Sequence, residues 1–142
     1  MGTHVDSYGL PAAFTTIALF GANGQIGDRI LHALVSNKRK DFKVVAFVPP
    51  GSESQGSKSV TIKTFDLKNV TREQLAKELK GVDAVVSALN GPALEAQAII
   101  QDAAADAGVK RLYPSEYGMH HIYRKTNDPM GYVHPAWNVK AQ

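Results

Sequence analysis

The stretch Ile17–Gly27, reading Ile-Ala-Leu-Phe-Gly-Ala-Asn-Gly-Gln-Ile-Gly, constrains the fold more than any other part of the chain. Four apolar residues (Ile17, Ala18, Leu19, Phe20) run straight into Gly21, Gly24 and Gly27. A helical pattern of Ile26, Ile30, Leu31, Leu34 and Val35 follows. The order is strand, tight turn, helix. Gly21 permits the sharp exit from the strand. Gly24 has no Cβ, so a pyrophosphate can approach the backbone, and Gly27 lets the helix pack closely on a sheet. Asn23, Gln25 and Ile26 fill the turn, where the first helical N–H groups and the helix dipole face a phosphate. The spacing is Gly-x-x-Gly-x-x-Gly rather than Gly-x-Gly-x-x-Gly. The nucleotide reading therefore rests on the flanking strand and helix, and an ordinary strand-to-helix turn is the alternative.

The remaining chain supplies a sheet for that turn. Lys43–Val48 is a near-continuous apolar run of β-formers, as in a strand covered on both faces. Pro49-Pro50-Gly51 stops it, and residues 49–59, rich in Pro, Gly and Ser, read as a loop. Val60–Phe65 alternates and reads as an edge strand, closed by Asp66. Thr71-Arg72-Glu73-Gln74 is a capping box before a short helix that carries Leu75 and Leu79 and ends at Gly81. A Glu73–Lys77 pair is expected on that helix. Asp83–Leu89 is a further buried strand, and Asn90-Gly91-Pro92 turns the chain into a helix over Ala93–Ala107. Ala96, Ile99, Ile100, Ala103, Ala104 and Ala107 form its apolar stripe. Val109–Tyr113 is a fifth strand, ended by Pro114. No periodicity is legible from Ser115 to about Pro135, and Trp137–Gln142 resembles the start of a helix.

Strands alternating with helices imply an α/β domain: a Rossmann-type, doubly wound parallel sheet with strand order 3-2-1-4-5 and any later strands missing. Ligands then bind beyond the carboxyl ends of the first and fourth strands. Four segments meet there: Gly21–Gly27, Pro49–Lys58, Ser87–Gly91 and Pro114–Gly118. Asp66 falls near the place of an adenine, or is simply a polar residue closing a strand. Ser87 and Ala88 are small where a cofactor ribose passes, or are small core residues. The position that usually chooses the cofactor holds Pro49, neither an acid for a ribose diol nor an arginine for a 2′-phosphate. Lys58, Lys38–Lys40 and Glu53 are the charged candidates nearby in sequence. The basic run Lys38-Arg39-Lys40 otherwise suits a helix C-terminus.

Composition excludes several other functions. The chain has 142 residues, enough for one domain, read here as a flexible leader over 1–14 and a domain over 15–142. With no cysteine, thiol nucleophiles and zinc–thiolate sites are excluded. No segment resembles a secretory signal or a membrane span, so a cytoplasmic, soluble protein is expected, with no membrane partner. Net charge is +3, and residues 36–80 hold ten Lys/Arg against five Asp/Glu. That imbalance suits an anionic ligand and is too mild to point to nucleic acid. The histidines (His4, His32, His120, His121, His134) are read as solvated, and no metal site is expected. No Tyr-x-x-x-Lys pair and no Gly-x-Ser-x-Gly elbow occur. Lys140, between Val139 and Ala141 and near Trp137, is a candidate proton-transfer group or a surface lysine.

Gly21-Ala-Asn-Gly24-Gln-Ile-Gly27, Val82-Asp-Ala-Val-Val-Ser87 and above all Val109-Lys-Arg-Leu-Tyr-Pro-Ser-Glu-Tyr-Gly118 resemble the NmrA-like and isoflavone-reductase-like group of atypical short-chain dehydrogenases/reductases. The resemblance implies an NAD(P)-binding Rossmann fold that takes NADP, with NAD not excluded. In the reductase branch it implies hydride transfer from NADPH to a small aromatic or phenolic substrate, with Lys140 as general acid or base. In the regulator branch the same fold senses a dinucleotide and acts through a protein partner without turnover. Proteins of the group are about twice this length, so the resemblance implies a C-terminally truncated member. Its fifth strand would be an open edge, available to a protein partner or a second copy.

Overall fold

The computed structural model describes residues 14–52 and 56–115. Its elements run β1 (Thr16–Phe20), α1 (Gln25–Val35), β2 (Lys43–Val48), β3 (Val60–Thr64), α2 (Arg72–Glu78) and β4 (Ala84–Ser87). A 3-10 helix (Gly91–Ala96), α3 (Gln97–Asp106) and β5 (Arg111–Tyr113) complete the order. The five strands form one parallel sheet in the order β3-β2-β1-β4-β5, as the alternation requires. Register is set centrally: Phe20 sits opposite Phe47 on one side and Ser87 on the other.

Alternation along the strands builds two cores. Ala18, Phe20, Phe47 and Val85 face the side covered by α2 and α3, where Leu75, Leu79, Ile100, Ala103 and Ala104 are buried. Ile17, Leu19, Val44, Ala46 and Val48 face α1, which lays Ile30, Leu31 and Leu34 over them. Each fully buried leucine or isoleucine contributes about 1.5–3 kcal/mol relative to exposure. The alanines of α3 let it approach the sheet closely. Phe20 and Phe47 stack with centroids 4.4 Å apart, and Phe65 meets Phe47 edge-on at 5.7 Å.

Several boundaries differ from the sequence expectation, each for a local reason. The pattern after the glycine turn and the basic run behind it predict a helix from about Gly24 to Asn37; α1 ends at Val35, because the Asn37 Oδ1 accepts hydrogen bonds from the N–H groups of Arg39 and Lys40. A side chain that satisfies the backbone in a turn competes with helix continuation. The predicted helix over Ala93–Ala107 is divided: it winds as a 3-10 turn through Ala96, with Leu94 buried, and becomes α-helical at Gln97. Strand β4 begins at Ala84 and not Asp83, whose carboxylate instead accepts from the N–H groups of Thr15 and Thr16 at 2.9 and 3.0 Å. This latches the β4 start to β1. Strand β5 begins at Arg111 rather than Val109, because the Val109 N–H donates back to the Ala104 carbonyl.

The capping box of α2 is present in both directions: the Gln74 N–H donates to Thr71 Oγ1 and the Thr71 N–H to Gln74 Oε1. The expected Glu73–Lys77 pair is not among the ion pairs of the described residues. Charges on α2 instead reach other elements, Glu78 to Lys63 on β3 and Arg72 to Asp106 and Asp102 on α3. Among the described residues β5 is a sheet edge, with Tyr113 exposed. Among them, too, no helix is long and apolar enough to cross a membrane.

Candidate functional site

A parallel sheet with this strand order opens a crevice beyond β1 and β4, because the connections leave those strands in opposite directions. A cavity of about 490 Å³ lies there. Its walls come from the glycine turn (Gly21, Asn23, Gly24), the end of β2 (Phe47, Val48, Pro49), the loop after β3 (Phe65–Lys68 and Val70), and the β4 exit (Ala88, Leu89, Asn90). Ala93, Glu95, Ala96 and Ile99 close it from the 3-10 helix and α3. The volume is that of a small-molecule cleft. Apolar side chains dominate one end, and the backbone of the glycine turn forms the other.

The three glycines have different physical roles. Gly21 has φ +82°, and a Cβ there would lie 2.6 Å from the Ala88 carbonyl oxygen. A Cβ on Gly27 would lie 1.8 Å from the Gly21 carbonyl oxygen. Both positions are required by the turn itself. Gly24 is not: it is extended (φ −82°, ψ 173°), and a Cβ would make only an ordinary 3.5 Å contact with Gly21 O. The bare Cα of Gly24 borders the cavity with no steric reason in the fold to be bare. The turn is closed by the Gly24 N–H donating to Gly21 O at 3.1 Å, and the first helical bond runs from Asp28 N–H to Gly24 O at 2.8 Å. No side chain caps this helix start. The N–H groups of Gln25, Ile26 and Gly27 are thus first-turn donors at the positive end of the α1 dipole. This is a cradle suited to an anion such as a pyrophosphate.

The structure sorts the residues predicted from sequence. Gly21, Asn23, Gly24, Asp66 and Ala88 line the cavity. Gln25, Ile26 and Gly27 are not among the residues that line it: Gln25 and Ile26 are exposed in the first helical turn, and Gly27 is buried beneath the turn. Ser87 is not a lining residue. It is fully buried, and its hydroxyl has no hydrogen-bond partner among the described residues. Asp66 borders the cavity, but its carboxylate also serves its own loop: Oδ1 accepts from the Lys68 N–H at 3.1 Å and Oδ2 from Asn69 Nδ2 at 2.6 Å. Asp66 thus closes the exit from β3 and borders the cavity at once.

Two of the charged candidates are displaced. Lys38–Lys40 follow the C-terminus of α1, which runs back to the opposite end of the sheet, where Lys43 N–H meets Thr15 O. Lys58 sits in the tight Ser57–Val60 turn leading into β3 and does not line the cavity. Glu53, Lys140, His4, His120, His121 and His134 lie outside the described residues, as do residues 1–13 of the expected leader and Glu116–Gly118, whereas Phe14, also assigned to that leader, is buried in the core beside Ile17 and Val44. His32 is exposed on α1, 3.6 Å from Asp28. Among the described residues no group of three potential metal ligands occurs.

Sequence reading missed Phe65, Lys68 and Glu95. The signal was present for Lys68: the loop after β3 must pass the same carboxyl edge, and it extends from Asp66 to the helix cap at Thr71. At the β5 end, Ser115 is tied to the cavity wall. Its Oγ donates to the Leu89 carbonyl at 2.5 Å, and its N–H donates to Gln97 Oε1 at 2.7 Å.

The NmrA-like family model matches residues 14–142. An isoflavone reductase-like protein of Olea europaea is 35% identical over 112 residues, covering 73% of this chain and 36% of that protein. The chain spans about a third of the length of the curated relatives it matches. Among solved structures, isoflavone reductase superposes with a TM-score of 0.66 at 25% identity, covering 89% of this chain and 43% of that one. The binary complex of leucoanthocyanidin reductase with NADPH from Vitis vinifera also gives 0.66 over 89% of this chain and 43% of that one. At 21% identity it speaks for the fold alone.

Proposed function

The chain belongs to the NmrA-like family, and we propose that within it residues 15–142 are the dinucleotide-binding part of a cytoplasmic NAD(P)-dependent oxidoreductase of the isoflavone-reductase-like type. The observation that carries this reading is Gly24. Its missing Cβ leaves backbone open to the cavity where packing makes no steric demand for it, beside uncapped helix N–H groups. The N–H groups of Gln25, Ile26 and Gly27 would hold the pyrophosphate, and the apolar walls at Phe65, Leu67 and Ile99 would take an adenine. Bound NADPH, or NADH in its place, would supply a hydride for a small aromatic or phenolic substrate. Lys140 would hold a proton at Nζ for the substrate oxygen, a role supported by its resemblance to the lysine of the reductases.

The experiment is a titration of the full chain with NADPH, followed by nicotinamide fluorescence and by melting temperature. A ligand at about 100 times its Kd stabilises by about 2.7 kcal/mol. No spectral change and no shift at millimolar cofactor would dispose of the proposal. Lys140→Ala should abolish turnover and leave cofactor affinity unchanged. Binding without turnover in the unaltered chain would favour a dinucleotide sensor working through a protein partner, for which β5, an edge strand among the described residues, is the candidate surface.

A further inference from the structure

Strand β2 ends at Val48, and the next four residues make a type II turn. The Ser52 N–H donates to Pro49 O at 3.2 Å, Pro50 takes the second position, and Gly51 has φ +82°. In dinucleotide folds this corner, about twenty residues after the glycine turn, faces the 2′ position of the adenosine ribose. An acid there selects the free diol, and an arginine selects the 2′-phosphate. Here Pro49 and Pro50 offer neither charge nor an N–H. Among the described residues, the polar side chains at the corner are Asn23, which lines the cavity, and Ser52, joined by Asn23 Nδ2 donating to Ser52 Oγ at 3.1 Å. The charged lining residues Asp66, Lys68 and Glu95 belong to other segments, after β3 and after β4.

An amide and a hydroxyl are each both donor and acceptor. They can accept from a 2′-hydroxyl or donate to a 2′-phosphate by rotating, and neither repels or attracts by net charge. We infer that Asn23 and Ser52 form an uncharged reading site for the 2′ substituent, so that NADH and NADPH bind within about tenfold of each other. The inference rests on the dinucleotide-binding reading above. It makes Ser52 a specificity-determining residue that a single charge would convert.

The test is to titrate the full chain, Ser52→Asp, Ser52→Arg and Ser52→Ala with NADH and NADPH, following nicotinamide fluorescence. The expected unaltered ratio of dissociation constants is within about tenfold, and Ser52→Ala stays close to it. Ser52→Asp should move the ratio towards NADH and Ser52→Arg towards NADPH, each by about tenfold or more, the value of one charged hydrogen bond. Melting temperatures of all four proteins separate unfolding from altered recognition; a variant that unfolds leaves the other charge change and the unaltered ratio to decide. Binding of both nucleotides with ratios unmoved by either charge overturns the assignment of Ser52 and leaves the dinucleotide reading intact. A strong preference in the unaltered chain, beyond about thirtyfold, overturns the uncharged site. Failure of every protein to bind either nucleotide defeats the dinucleotide reading itself, and this inference with it.

Discussion

Replacing Gly24 and Gly27 separately by alanine should divide what the turn does for the fold from what it does for a ligand. At Gly27 the added Cβ would fall 1.8 Å from Gly21 O, 2.6 Å from Gly21 C and 3.0 Å from Ala22 Cα. All three are backbone atoms, and Gly21 cannot retreat freely, since it is itself held at φ +82° against Ala88. Overpacking of this kind costs about 1–3 kcal/mol where flexible side chains give way, and more where only backbone can move. Alanine returns about 1 kcal/mol of helix propensity. The net loss for Gly27→Ala is then about 2–4 kcal/mol, a melting-temperature drop of roughly 10 °C for a domain of this size. At Gly24 the same methyl makes a 3.5 Å contact in an extended conformation that alanine adopts readily. Stability should change by less than about 1 kcal/mol, since the weaker N-cap is offset by a less flexible unfolded chain. NADPH affinity should nevertheless fall by about tenfold or more, because the methyl stands where the pyrophosphate approaches. Thermal melts and fluorescence titrations of both variants make the comparison. A Gly27→Ala variant that melts like the original would refute the steric argument, and a Gly24→Ala variant with undiminished affinity would remove the phosphate from this turn.

Four further outcomes are expected. Ser87→Ala should be neutral or stabilising by about 1 kcal/mol, because it removes a fully buried hydroxyl that has no partner among the described residues; a loss above that in denaturant melts would reveal a partner. Thr71→Ala should cost about 0.5–2 kcal/mol by opening the α2 capping box, with Thr71→Ser largely restoring it. Leu79→Ala, fully buried under α2, should cost about 2–5 kcal/mol in the same assay. The Asp106 carboxyl is held below the usual carboxylate range, first by its hydrogen bond from Arg72 and then by that residue's charge. A depressed folded value means that the pair's small, exposed contribution is complete above the ordinary carboxylate pKa and is lost as pH falls through the folded one. The stability gap between the unaltered chain and Arg72→Ala should therefore narrow in acid, and also with added salt; a gap that neither acid nor salt reduces would contradict the assignment.

Much of this protein was legible in the order of its residues. Periodicity separates strands from helices because a strand repeats every two residues and a helix every 3.6. The run of such elements after a glycine turn leaves few topologies for a parallel sheet. Strand order and the location of the crevice at Gly21–Gly27 and Ala88 follow from local pattern alone. What the sequence could not rank were residues whose role depends on distant neighbours. Gly24 and Gly27 look alike in the chain, yet a carbonyl brought to 1.8 Å makes one a requirement of the fold while the other is left free for a ligand. Ser87 and Ala88 are adjacent small residues, and strand alternation hides one in the core and places the other in the cavity wall. Lys38–Lys40 and Lys58 are equal partners for an anion by sequence position, but the direction of α1 and the turn before β3 carry them away from the cavity. Ser52, distant from Asn23 in sequence, reaches the glycine turn only because β2 lies beside β1 and a type II turn folds back over its end. Local pattern is set by the backbone's own periodicities, but proximity is set by packing, and the chemistry of the site is a matter of proximity.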